Sequence, residues 1–199
     1  MDSFLFCLIL VALIAVGGRE QWLVAQLSDA LAQREGTIMR RPVPVLALGV
    51  ASAAATAGVM TLAATTLAGL MPDRAAWMLV AFALAIAALE LFWPIRPGPL
   101  GGAQSEPTRS AGAIGLVLVW RQLGDAARFV IFAFAVEATF PITALIGGAM
   151  GGAAAVAMGW GLGAAKLSQW PLRAIRIALG LCLIVAALFI GLNARYAIW

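Results

Sequence analysis

The stretch Pro94–Ser110, PIRPGPLGGAQSEPTRS, decides how the chain is divided. Proline removes a backbone donor and clashes with the preceding helical turn, so a segment this rich in Pro, Gly and Ser cannot continue a helix and reads as a linker. Working outward, three apolar runs precede it, near 3 to 32, 43 to 70 and 75 to 93, and three follow it, near 111 to 137, 141 to 164 and 170 to 193. Shorter breaks separate them: Arg34 to Pro42, Pro72-Asp73-Arg74, Ala138 to Pro141, and Ala165 to Gln169, each marked by Pro, Gly or charge. The expected domains are therefore 1–93 as a first three-helix unit, 94–110 as a cytoplasmic linker and 111–199 as a second three-helix unit.

Composition says what kind of helices these are. Of 199 residues, 63% are hydrophobic and 11% are charged, with no histidine, against about 25% charged in soluble proteins. Too few polar side chains exist to cover a soluble surface, whereas the length supplies about six spans of about 20 residues each. The expectation is an all-α integral membrane protein with six transmembrane helices and the lipid bilayer as its surroundings. Met1 to Val16 resembles a signal peptide in hydropathy, but it carries Asp2 where a basic region belongs and has no clear cleavage site, so it reads as an uncleaved first span.

The net charge of +4 reports topology rather than a nucleic-acid partner. Placing the N-terminus outside puts Arg34, Arg40, Arg41, Arg96, Arg109, Lys166, Arg173 and Arg176 on the cytoplasmic side and only Arg74 and Arg195 outside. Both termini are then expected outside, in a bacterial inner (plasma) membrane. Cys7 and Cys182 sit in apolar runs far from any metal-ligand spacing and read as small core residues. No G-x-S-x-G and no phosphate-binding glycine loop occurs, so no enzyme chemistry and no cofactor are expected.

Landmarks recur across the linker. Pro44, Ala47 and Leu48 match Pro141, Ala144 and Leu145 at an offset of 97, and Pro72, Arg74 and Ala75 match Pro171, Arg173 and Ala174 at 99. Gly18 matches Gly124 at 106. Three spans per half is an odd number, so a repeated second half enters the membrane from the opposite side, giving two inverted-topology three-helix repeats with a substrate site at the midplane between them.

Ionisable groups inside a bilayer cost about 2.5–3.5 kcal/mol each on insertion scales, so they mark either a buried ion pair or a wet functional cavity. The first span carries Arg19, Glu20 and Gln21 beside Gly17-Gly18; the fourth carries Arg121, Gln122, Gly124, Asp125 and Arg128. On a continuous helix, Arg121, Asp125 and Arg128 at i, i+4 and i+7 stack one carboxylate between two guanidinium groups. The expected ion-pair cluster is Arg121, Asp125, Arg128 and Arg19, and the substrate or ion site is expected to draw on Asp125, Gln122, Glu20, Gln21, Gly18 and Gly124. Asp29, Glu90 and Glu137, near run ends, read as interfacial. The pairs Gly147-Gly151, Gly148-Gly152 and Gly159-Gly163 in the fifth span read as close helix packing. Trp77, Trp93, Trp170 and Trp199 read as interfacial anchors, and Trp22 and Trp120 as neighbours of the central site.

Val16 to Gln21, VGGREQ, and Gln122 to Ala127, QLGDAA, together resemble the paired E-x-G-D-K-[ST] motifs of the six-span cation/proton antiporters, which include the Golgi manganese and calcium transporters and bacterial manganese exporters. The likeness extends to Pro141, the glycine-rich fifth span and the basic turn PLRAIR. In the first motif the Glu falls on Val16, the Asp on Arg19 and the Lys on Glu20; in the second the Glu falls on Gln122, the Asp is Asp125, the Lys falls on Ala126, and both glycines stand, as Gly18 and Gly124. The resemblance implies exchange of a divalent cation, manganese or calcium, for protons, with Asp125 as a metal ligand. Against this, Arg19, Glu20, Arg121, Asp125 and Arg128 together carry one net positive charge, which opposes a bare divalent cation. Two other readings stay open: a transport-incompetent membrane scaffold or regulatory relative, and an exporter of a small amino-acid-like solute.

Overall fold

The computed structural model describes residues 2–34, 43–94 and 111–196. Nearly all of the linker, together with Arg40, Arg41, Arg96, Arg109 and Trp199, lies outside the described residues. Among the described residues there are eight helices and no strand: α1 (Asp2–Ala15), α2 (Arg19–Arg34), α3 (Val43–Gly69), α4 (Asp73–Phe92), α5 (Ala111–Leu123), α6 (Ala126–Glu137), α7 (Pro141–Leu167) and α8 (Leu172–Tyr196). Helices α3, α4, α7 and α8 are each long and apolar enough to cross a membrane, and α1 with α2 forms a fifth candidate, bent by 63°.

Proline sets the starts. Pro72 precedes α4 with its carbonyl accepting from the Ala75 and Ala76 N–H groups, Pro141 opens α7, and Pro171 stands before α8. A missing N–H does no harm where the first turn has no intrahelical acceptor. The third, fifth and sixth apolar runs thus begin within a few residues of where the sequence places them.

The first and fourth runs differ from expectation, because neither is one straight helix. Residues 3 to 32 break at Val16-Gly17-Gly18. Gly17 takes φ 72°, a left-handed conformation that L side chains rarely adopt, and a Cβ there would stand 3.1 Å from Leu172 Cβ. Its N–H, freed by the break, donates to Gln21 Oε1 at 2.7 Å, much as the third residue of a capping box reaches back over a helix start. Residues 111 to 137 break between Leu123 and Ala126, where Asp125 adopts an extended conformation and opens α6.

Helix α7 is the central packing element, touching α1, α2, α3 and α6. Its glycines make this possible: a Cβ at Gly147 or Gly151 would stand within 2.5–2.6 Å of the Phe4 or Leu8 carbonyl oxygen on α1, and one at Gly159 would meet Gln21 on α2. The close-packing expectation holds for these positions. Gly163 has a different job, bending α7 with φ 74°; the Ala164 N–H beyond the bend donates to Asp29 Oδ2 at 2.9 Å. Asp29 is therefore an interhelical cap rather than a simple interfacial residue. On the periphery α4 packs along α8. Cys7 is buried as expected and its thiol donates to the Ala144 carbonyl, but Cys182 is exposed on the outer face of α8 and is no core residue.

Candidate functional site

Both helix breaks point their restarted helices inward. Helix α2 begins with Arg19 and Glu20, so the alternation of a helix sends these neighbours to different faces: Arg19 is exposed, whereas Glu20 is 5% exposed. Helix α6 begins at Ala126 with Asp125 as its cap residue, yet Asp125 makes no side-chain capping bond. That role passes to Glu90 on α4, whose Oε2 accepts from the Ala126 N–H at 3.0 Å. Asp125 is thereby left to turn its carboxyl into the protein interior.

There the Asp125 carboxyl lies close enough to both Glu20 and Glu90 for like-charge repulsion. Two guanidinium groups flank this group of three carboxyls. Arg128, 1% exposed and one turn into α6, sets Nη2 3.7 Å from Glu20 Oε2. Arg176, on α8, sets Nη2 3.4 Å from Glu90 Oε1 and donates to the Glu90 carbonyl at 3.2 Å. The carboxylates also lie at the N-terminal ends of α2 and α6, where the helix dipoles favour negative charge.

Amide and hydroxyl groups surround the cluster. The Thr56 hydroxyl donates to Gln122 Oε1 at 3.1 Å, and Gln21 Nε2 donates to the Ala155 carbonyl at 3.2 Å. Several buried polar atoms have no protein partner: Glu20 Oε1, Asp125 Oδ2, Gln122 Nε2, and the Nε and Nη1 atoms of both Arg128 and Arg176. Leaving a buried donor or acceptor unmade carries a desolvation penalty of about 1–3 kcal/mol, more for charged groups. So many around one cluster mark a place for water, ions or a solute.

The structure thus unites Asp125, Glu20, Gln122, Gln21 and Arg128 in the buried region where the two breaks meet, with Gly18 buried in the first break. Arg121 and Arg19 do not join them. The i, i+4, i+7 stack of Arg121, Asp125 and Arg128 requires an unbroken helix, and the break at Gly124-Asp125 leaves Arg121 exposed on α5 while Asp125 and Arg128 turn inward. Gly124 is exposed at the same break. Trp22 is partly buried beside the site, but Trp120 is 78% exposed and lines nothing central.

Glu90 and Arg176 are the members that the sequence reading misses. The charge pattern places Arg176 on the cytoplasmic side, and the run end places Glu90 at the interface. A signal existed in α8, where the buried residues Leu172, Arg176, Gly180, Leu183 and Ala187 form one helical stripe containing the arginine. Exchanging Arg19 and Arg121 for Glu90 and Arg176 also reverses the charge balance, since three carboxyls with two guanidinium groups carry one net negative charge when all are ionised.

An open cavity of about 540 Å³ lies next to this cluster. Its walls include Gly17 at the first break, Trp22 of α2, Leu91 and Trp93 at the end of α4, and Trp170, Arg173 and Arg176 around the start of α8. Among the described residues no group of three or more His, Cys, Asp or Glu side chains is arranged to hold a metal ion. No protein-family model, curated protein or solved structure matches the chain.

Proposed function

We propose that the chain is a secondary transporter of six spans arranged as two inverted three-span repeats, with the Glu20–Asp125–Glu90 cluster as its proton-coupling site. One observation carries this reading: two buried carboxyls, the partly buried Glu90 and two buried guanidinium groups gather where two interrupted helices break. Interrupted helices whose N-termini face a charged midplane site are the recurrent device of such carriers.

The packing supports a repeat. Each half runs as an interrupted helix followed by two long ones, α5 and α6 supplying 13 and 12 residues for the interrupted span of the second half. Contacts recur under exchange of halves: α1 with α7 as α5 with α3, and α2 with α7 as α6 with α3, while α3 packs on α7 and α4 on α8. Descent from the cation/proton antiporters is consistent with both breaks falling within the two motif-like stretches. With Arg176 removed from the cytoplasmic side, the basic residues still divide seven to two in favour of both termini outside a bacterial plasma membrane.

A proton suits the site better than manganese or calcium. A single excess negative charge is neutralised by one monovalent cation, and the guanidinium groups already fill the positions from which a divalent ion would draw further charge. The test is reconstitution of the purified protein in vesicles, with an internal pH dye and a panel of divalent metals, amino acids and small organic acids outside. Solute-dependent proton movement that disappears in a folded Asp125→Asn variant is the expected result. Folded protein that moves neither protons nor any solute of the panel would overturn the transporter reading in favour of a scaffold.

A further inference from the structure

The cavity beside the carboxyl cluster has a composition of its own. Its wall includes three indole rings, Trp22, Trp93 and Trp170, and the apolar Leu91 and Ile177, and its charged wall residues are both arginines, Arg173 and Arg176. Arg173 is exposed, whereas Arg176 is 4% exposed and keeps Nε and Nη1 without partners although it faces the cavity. A guanidinium held in an apolar wall with donors to spare is a site for an oxyanion, because charge-assisted N–H bonds to carboxylate or phosphate are about twice as strong as neutral ones. The indoles supply flat apolar surface for whatever carries that anion.

We infer that this cavity binds an amphipathic anion, a carboxylate or phosphate head on an apolar body, with the head on Arg176 and Arg173 and the body among Trp22, Trp93 and Trp170. This deepens the transport reading by naming the substrate class, and rests on that reading only for the statement that the anion is transported. The arrangement also links the two sites. Arg176 already holds Glu90, so an arriving anion shares with Glu90 a guanidinium whose other partner is part of the carboxyl cluster.

The experiment uses the full-length protein in neutral detergent and follows intrinsic tryptophan fluorescence during titration with phenylacetate, its uncharged analogue phenylacetamide, and dihexanoylphosphatidic acid. Phenylacetate should bind at least about tenfold more tightly than phenylacetamide, and Arg173→Gln and Arg176→Gln should each weaken it. Saturable binding of the phosphatidic acid with the same arginine dependence, in place of phenylacetate, supports the site and identifies a lipid headgroup as its source. Arg176→Gln leaves Glu90 without its cation and can fail to fold; Arg173→Gln, at an exposed position, then carries the comparison. Equal affinity for phenylacetate and phenylacetamide, binding unchanged in Arg173→Gln, or binding by neither anion would overturn the inference. Failure of vesicle transport with arginine-dependent binding intact removes the transporter reading alone, whereas proton-coupled flux without anion binding removes this site alone.

Discussion

Arg128 and Glu20 stand on helices that restart after separate breaks, and their Nη2 and Oε2 atoms lie 3.7 Å apart with both side chains almost wholly buried. This pair joins the first and second halves of the chain where both backbones are interrupted. Removing one partner of a buried ion pair leaves a charge with no solvent to receive it, and the penalty is about 3–5 kcal/mol. Arg128→Leu is therefore expected to lower the unfolding stability of the detergent-solubilised protein by that amount. The double variant Arg128→Leu with Glu20→Gln should lose less than the two single changes combined, as a double-mutant cycle in chemical denaturation would measure.

The glycines of α7 divide into positions of different tolerance. A Cβ at Gly151 would stand 2.6 Å from the Leu8 carbonyl oxygen, one at Gly152 would stand 3.1 Å from Arg128 Nη1 and 3.3 Å from Ala53 Cβ, and one at Gly161 would meet nothing within 4 Å. Gly151→Ala should destabilise by about 1–3 kcal/mol through overpacking against backbone. Gly161→Ala, gaining helix propensity, should be neutral or stabilising by up to about 1 kcal/mol. Thermal unfolding of the two variants side by side checks the order.

At the first break, Gly17→Ala meets both a left-handed backbone and the Leu172 side chain. A loss of about 1–2 kcal/mol from the backbone conformation alone is expected, with more from the contact. Gln21→Leu should separately cost about 1–3 kcal/mol by leaving the buried Gly17 N–H and Ala155 carbonyl without their side-chain partner. Hydrogen exchange should find the Gly17 amide protected in the parent protein and faster in Gln21→Leu.

The Asp29 bond to the Ala164 N–H offers a test with a conservative control. Asp29→Asn keeps an acceptor oxygen and should retain most of the stability, whereas Asp29→Ala removes it and should lower stability by about 1 kcal/mol. Equal behaviour of the two variants in thermal unfolding would mean that the cap contributes nothing.

The apolar runs and their proline starts were legible because composition and backbone chemistry are local. Pro72, Pro141 and Pro171 stop or start helices wherever they occur. The breaks at Gly17 and Gly124-Asp125 were harder, since a 25- to 30-residue apolar run has the same hydropathy whether straight or bent. That ambiguity produced the false stack of Arg121 with Asp125 and Arg128. Glu20, Gln21, Gln122, Asp125 and Arg128 were readable as a group because charge and amide side chains inside apolar runs are expensive unless they meet. Glu90 and Arg176 were not, because each lies near a run end where an interfacial position explains it equally well; only the packing of α4 on α8 brings them together.

The two oxygens of Glu90 serve different helices: Oε2 holds the first amide of α6, and Oε1 lies against the guanidinium carried by α8. A single residue on α4 thus acts as a yoke. If α8 slides along α4, the yoke must either drag the start of α6 with it or let go of that amide, so movement at the rim of the bundle and rearrangement at its centre become one event rather than two.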